Sequence, residues 1–310
     1  MEPKTSKYRP DCKFRVKPQN SELTMNRLAE MFIPRKIIKR SEYYSRYEGK
    51  TDPYGFSPET VEKWHPIFQF FYEEYFHVKT VGLENIPAEG RAVLAGNHSG
   101  VLPIDAFMTS TAVLLHHKEP RRIRYLAHDF LLSNKYSSEL LKGFGGVPAR
   151  YEVAKELIED EELVFFYPEG TRGTGKPFSQ RYRLQDFDPG FVKAALETGS
   201  PIIPVTTVGG DEIYPMLFNL KWVANLLGTP YWPVTPTFPL MPYPVACLPL
   251  PIKFLINIGK PIHLDYPPEK ASDKKLRMRL AREIQYDIQR ELNSLLRERK
   301  SPFAGWENQP

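Results

Sequence analysis

The sequence predicts an α/β protein with a mostly parallel central sheet covered by helices. Three observations carry this. Short apolar runs at Ala92–Ala95, Ile123–Ala127, Leu163–Phe166, Ile202–Val208 and Phe254–Ile258 have strand length and composition. Helix-length stretches near 105–116, 130–142, 151–160 and 190–198 lie between them, and strands alternating with helices form parallel sheets. Hydrophobic residues make up 41% of the 310 and charged residues 25%, enough to bury a core without staples.

Two further helices flank this pattern. Ser57-Pro58-Glu59 is a helix start, with Pro at the first helical position and an acid behind it. The helix it opens, near 58–77, is aromatic, and Trp64, Phe68, Phe71 and Tyr75 share one face at spacings of four, three and four. That face suits packing on the core or seating at headgroup depth in a membrane. A long helix is expected over 272–299, where Leu276, Leu280, Ile284, Ile288, Leu292 and Leu296 recur every four residues. It reads as a docking helix or a basic surface helix, followed from Ser301 by a disordered tail. The organisation is thus an N-terminal arm over 1–57, a central domain over 58–270, and a helix with tail over 271–310.

One segment breaks the rhythm. Residues 230–251 hold eight prolines among Trp, Phe, Tyr, Leu and Val, which excludes a regular helix or central strand. Such a segment is either packed on the body or faces lipid.

Charge is unevenly placed. Residues 1–50 hold 13 Lys/Arg against 6 acids, so a chain of net charge +5 consists of a basic arm and a nearly neutral remainder. A basic arm fits an anionic surface, lipid or nucleic acid, and also a simply solvated terminus. No secretory signal pattern opens the sequence and no run nears the roughly 20 apolar residues of a membrane span. Only Cys12 and Cys247 are present, too few for a disulfide framework, which points to a reducing compartment.

Four segments carry chemistry. Gly96-Asn97-His98-Ser99-Gly100-Val101-Leu102-Pro103-Ile104-Asp105 follows a strand and runs into a helix. A histidine there can take a proton from a hydroxyl, and a carboxylate on its other ring nitrogen would fix the tautomer. Six residues separate the two, and Pro103 can turn the loop so that Asp105 folds back on His98. The same string also describes a helix-capping loop with an exposed histidine. Phe166-Tyr167-Pro168-Glu169-Gly170-Thr171-Arg172 is an anion-binding turn at another strand end, with Arg suited to a phosphate. Gly143-Phe144-Gly145-Gly146-Val147-Pro148-Ala149-Arg150 is a glycine-rich turn ending in a second Arg, and Pro201-Ile202-Ile203-Pro204-Val205 is an apolar strand framed by prolines.

In this order the four segments resemble the glycerolipid acyltransferase superfamily, the lysophosphatidate acyltransferase-like proteins, over roughly residues 75–265. The resemblance implies transfer of an acyl chain from a thioester, acyl-CoA or acyl carrier protein, to a hydroxyl on a lysophospholipid or neutral glycerolipid. His98 would be the general base and Asp105 its orienter. Arg150, Glu169, Gly170, Thr171 and Arg172 would shape the substrate site. It implies neither a metal nor a bound cofactor. The partners would be the thioester donor, the glycerolipid acceptor and a membrane surface, with no nucleic acid, and the location peripheral on the cytoplasmic face. Two departures stand out: six residues instead of the family's four between His and Asp, and Phe187-Asp188-Pro189-Gly190 where the family carries a lysine. With Gly209-Gly210-Asp211-Glu212, they resemble the branch of diacylglycerol acyltransferases and phytyl ester synthases, and so point toward a neutral acceptor.

Competing readings are a serine-type lipid hydrolase using Ser99 and a non-catalytic basic membrane-binding protein. Gly170–Pro177 nearly spells a phosphate-binding loop, but Pro177 stands where Mg²⁺ requires Ser or Thr. His116, His117 and His128 lack a metal-ligand spacing.

Overall fold

The computed structural model describes residues 52–306, apart from 99, 134, 243 and 244. The chain divides into two units, Met1–Ile38 and Lys39–Pro310, and every described residue belongs to the second. Most of the basic arm therefore lies outside the described residues. Its last six residues do not extend away from the body. Phe56 is buried, and Asp52 accepts the amides of Tyr54 and Phe56 while pairing with Arg122 and Arg124.

The first helix, α1 (Pro58–Phe70), starts where expected: the Ser57 hydroxyl accepts the amide of Thr60, and Pro58 occupies the first turn. It widens into a π turn over Phe71–Tyr75. Its aromatics settle on the core. Phe68 stacks on Phe107 and meets Phe144 edge-on, and the Tyr75 hydroxyl donates to the carbonyl of Pro249. Trp64, Phe71 and Tyr75 pack against the same core, partly buried.

Next come β1 (Lys79–Val81), β2 (Ala92–Gly96), α2 (Ile104–His116) and β3 (Ile123–Ala127). The helix expected over 130–142 is divided into α3 (Asp129–Ser133) and α4 (Lys135–Gly143). Side-chain hydroxyls compete for its backbone: Ser133 donates to Phe130 O and Ser137 to Leu131 O. Then follow β4 (Gly146–Pro148), α5 (Tyr151–Glu159), β5 (Leu163–Phe166), α6 (Thr171–Thr174), α7 (Gly190–Thr198) and β6 (Ile202–Val208). Short elements come next: α8 (Gly210–Ile213), β7 (Phe218–Asn219), α9 (Lys221–Leu227) and β8 (Pro233–Val234). The described chain closes with β9 (Leu255–Ile258) and α10 (Lys274–Glu298). The glycine-rich turn thus contributes an edge strand, β4, and a small antiparallel ribbon β7–β8 stands apart.

Among the described residues the main sheet has seven strands in the order β1-β9-β6-β2-β5-β3-β4. The run β6-β2-β5-β3-β4 is parallel, and β9 lies antiparallel to β6. Strand alternation separates two core layers. Leu94, Phe165 and Ile203 face α1 and α2, whereas Val93, Val164 and Ile202 face α5, α7 and α10. Parallel strands share a direction, so the chain leaves β2, β5 and β6 at one edge of the sheet, where their following loops meet.

The long C-terminal helix docks. Asp273 caps it by accepting the amide of Leu276. Leu276, Leu280, Ile284, Ile288 and Leu292 are buried as the four-residue repeat predicts, but the last contact is Leu295, with Leu296 only partly buried. A four-residue step over-rotates a helix by about 40°, and a three-residue step restores contact. Residues 301–306 fold back on the body: the Trp306 indole donates to Leu295 O and Lys253 N to Pro302 O.

Leu292→Ala should lower stability by about 3 kcal/mol, as a shift of the urea midpoint at unchanged slope. Tyr286→Ala, on the exposed side of the same helix, should stay within about 0.5 kcal/mol.

Candidate active site

The loop after β2 is pinned before it reaches its histidine. The Asn97 amide group donates to Thr207 O at 2.9 Å and accepts from Thr207 N at 2.7 Å, tying β2 to β6. His98 follows, and its backbone amide donates to Glu169 Oε1 at 3.1 Å. Gly100 then turns the chain at φ +82°, and any Cβ there would lie 2.9 Å from Gly210 O. Only glycine meets both conditions.

The loop delivers Asp105 to the first turn of α2. Its Oδ1 accepts the amide of Ala106, one of the amides that a helix start leaves without a partner, and its Oδ2 lies 2.9 Å from His98 Nδ1. Asp105 is 1% exposed, and the His98 side chain 16%. A buried carboxylate on Nδ1 favours the tautomer with the proton there, so Nε2 carries the ring's lone pair. Tyr167 stacks on the His98 ring at 4.1 Å, and Phe165 stacks on Tyr167 at 4.4 Å. The imidazole is thus fixed by a carboxylate at its edge and an aromatic ring on its face.

The turn after β5 divides its residues between two tasks. Glu169 is buried, and its second oxygen accepts the amide of Gln185 at 2.7 Å, so both carboxylate oxygens are held by backbone donors. Gly170 adopts φ 57°, ψ −145°, a conformation essentially restricted to glycine. Thr171 opens α6 and is exposed. Arg172 donates to the carbonyls of Glu169 and Asp186, and its guanidinium remains at the surface. Arg150 is exposed on the strand β4 side, near Asp129.

His98, Arg150 and the whole Glu169–Arg172 turn line one cavity of about 850 Å³. Its lining is largely apolar and includes Phe107, Leu141 and Phe144, and Trp232 and Phe238 of the proline-rich segment. Asp105 stands behind His98 and is not part of the lining. The lining thus combines an apolar space with His98 and two arginines. Ser99 lies outside the described residues. His128 is at the cavity and exposed, while His117 is buried, its Nε2 donating to Ile86 O and its Nδ1 accepting the amide of Glu119.

Three contributors carry no role in the sequence reading. Asn97 and Tyr167 lie inside the recognised strings but neighbour the residues that draw attention. Lys176 figures only in the rejected phosphate loop, yet it is buried and lies 3.1 Å from Asp211, which also accepts the amide of Tyr182. Burial pushes the Glu169 and Asp211 carboxyls above their ordinary values, while Lys176 pulls both back. Lys176 and Asp211, of the Gly210-Asp211-Glu212 string, lie 35 positions apart in the sequence, so no local pattern joins them.

Residues 77–208 match the sequence pattern of the Acyltransferase family. An uncharacterized protein of Mycobacterium tuberculosis is 39% identical over 289 residues, covering 92% of this chain and 80% of its own. Phytyl ester synthase 1 of Arabidopsis thaliana, a chloroplast protein, is 25% identical over 244 residues, covering 71% of this chain and 34% of its own. The crystal structure of the 1-acyl-sn-glycerophosphate acyltransferase of Thermotoga maritima matches with a TM-score of 0.45 at 15% identity, covering 89% of this chain and 97% of that one. Over residues 77–208 the chain belongs to the Acyltransferase family.

Lys176→Met removes the cation between two buried carboxyls and should cost about 3–5 kcal/mol. Both carboxyls bind protons more readily in the folded chain than in the unfolded one, so stability is lost as pH rises from their ordinary value to their raised ones and stays lost above them. The deficit should therefore be largest near about pH 8 and narrow as pH falls toward about 4, the ordinary carboxyl value. Urea midpoints of wild type and variant across that interval measure it.

Proposed function

We propose that this acyltransferase moves a fatty acyl group from an acyl thioester to a lipid hydroxyl, with His98 as general base and Asp105 as its orienter. The observation that supports it most is the 2.9 Å His98–Asp105 pair at the wall of an apolar cavity of about 850 Å³. The acceptor hydroxyl gives its proton to His98 Nε2 as its oxygen attacks the thioester carbonyl. The tetrahedral oxyanion collapses, the carbon–sulfur bond breaks, and the imidazolium returns the proton to the leaving thiolate. Proton and charge balance, and neither a metal nor a covalent acyl-enzyme takes part.

Arg150 and Arg172 line the same cavity and bind phosphate of the donor, acyl-CoA or acyl carrier protein, or of the acceptor. Glu169, Gly170 and Thr171 shape the wall between them. The acceptor is a neutral lipid hydroxyl in preference to a lysophospholipid. Asp188, in place of a cation, lines the cavity, and one relative is a phytyl ester synthase by name. The protein acts peripherally, at the cytoplasmic face of a membrane. No helix among the described residues is long and apolar enough to cross one.

His98→Ala should reduce acyl transfer by about 10³-fold or more, and Asp105→Asn by about 10²–10⁴-fold through loss of the productive tautomer. Ser99→Ala should stay within about threefold of wild type, because a positioned base needs no neighbouring nucleophile. The assay is radiolabelled acyl-CoA against lysophosphatidate, other lysolipids, diacylglycerol and long-chain alcohols. Loss of activity in Ser99→Ala, together with an acyl group found on Ser99, would overturn the reading in favour of a serine hydrolase.

A further inference from the structure

The surface around the cavity mouth differs from the rest of the protein. Residues 213–252 contain no Asp or Glu, and Lys221 is their single charged side chain. Nine of the sixteen exposed large hydrophobic side chains among the described residues fall between 217 and 248. The most exposed are Leu240 at 79%, Leu226 at 76% and Trp222 at 69%. Trp222 and Leu226 are one turn apart on α9, whose opposite side buries Ala224.

This segment is held firmly from within. The Tyr231 hydroxyl donates to Val101 O, the Tyr214 hydroxyl to Cys247 O and the Tyr75 hydroxyl to Pro249 O. Trp232, Phe238 and Cys247 of the same stretch line the catalytic cavity. Leu102 and Phe130, both exposed, line it too, so the apolar surface continues around the mouth. The described residues of this stretch therefore present apolar groups both to the cavity and to the surroundings. Soluble monomers rarely leave a contiguous surface of this kind uncovered.

We propose that the 217–248 surface is seated at the headgroup–acyl boundary of a phospholipid bilayer, so that the cavity opens into the lipid layer. The inference rests on the acyl-transfer reading for the identity of what passes through the mouth. Continuity decides the occupant. A protein seated there would cover the opening that Leu102 and Phe130 share, whereas a bilayer covers the same apolar groups and supplies acyl chains through it. The charge pattern agrees, since no carboxylate in the segment opposes an anionic lipid surface and Lys221 can reach its headgroups. The aromatic residues Phe218 and Trp222 are of the kind that accumulates at that depth.

The test is sedimentation of the full chain with pure phosphatidylcholine vesicles in high salt, which removes attachment through the basic arm. Wild type should sediment with the vesicles. The double variant Leu226→Glu, Leu240→Glu should lower the partition coefficient about tenfold or more for each residue, at an unchanged thermal midpoint, because both side chains are exposed. In parallel, acyl transfer to a diacylglycerol held in vesicles should fall in the variant, while transfer to a short-chain alcohol in free solution should match wild type. Wild type that fails to sediment, or a variant that sediments equally, overturns the proposal. So does a variant that binds vesicles normally but loses self-association in ultracentrifugation, which assigns the surface to a second copy of this chain. If neither protein acylates any acceptor, the acyl-transfer reading fails, and sedimentation still decides the surface.

Discussion

The Glu169 carboxylate, buried beside Lys176, takes the amide of His98 on one oxygen and that of Gln185 on the other. An isolated buried carboxylate costs several kcal/mol in lost hydration. Two amide donors return about 1.5–3 kcal/mol each, and a nearby cation offsets the rest. The arrangement is therefore stable only if all partners are present at once. That requirement makes the loops after β2 and β5 a single unit. The Asn97–Thr207 bridge adds the end of β6 to it.

With the loop so fixed, the six residues between His98 and Asp105 stop being an obstacle. Gly100 passes close to Gly210 O, and α2 begins just ahead of Asp105. The carboxylate then has one oxygen for the helix start and one for the imidazole. The extra residues bulge without separating the pair. Tyr167 on the ring face limits the remaining freedom of the histidine. The histidine is thus held in one orientation by contacts on its edge and on its face.

The proline-rich segment shows how an irregular chain can be both packed and exposed. Proline lacks an amide donor, so such a segment leaves few backbone groups to satisfy. Tyrosine hydroxyls from elsewhere take up carbonyls that remain, at Cys247 and Pro249. The alternatives of packing on the body and facing outward are realised together, on opposite sides of one stretch.

Local pattern alone determined the five apolar strands, the helices between them and the docking face of α10, because strand and helix periods are written in neighbouring residues. It also singled out His98, Asp105, Arg150 and the Glu169–Arg172 turn, because loops at strand ends with glycine, proline and charge are recognisable as strings. It left open whether the aromatic helix faced core or membrane, and that depended on Phe107, Phe144 and Pro249, supplied from distant elements. The edge strand β4 was hidden because three residues with two small ones carry no period. Lys176 was hidden for a deeper reason. A buried charge is defined by what surrounds it, and its partner Asp211 lies 35 positions away, brought beside it only when β5 and β6 take their places in the sheet. The sequence determined which groups could do chemistry. The tertiary structure decided which of them meet, because hydrogen bonds reach about 3 Å and act on neighbours in space, not along the chain.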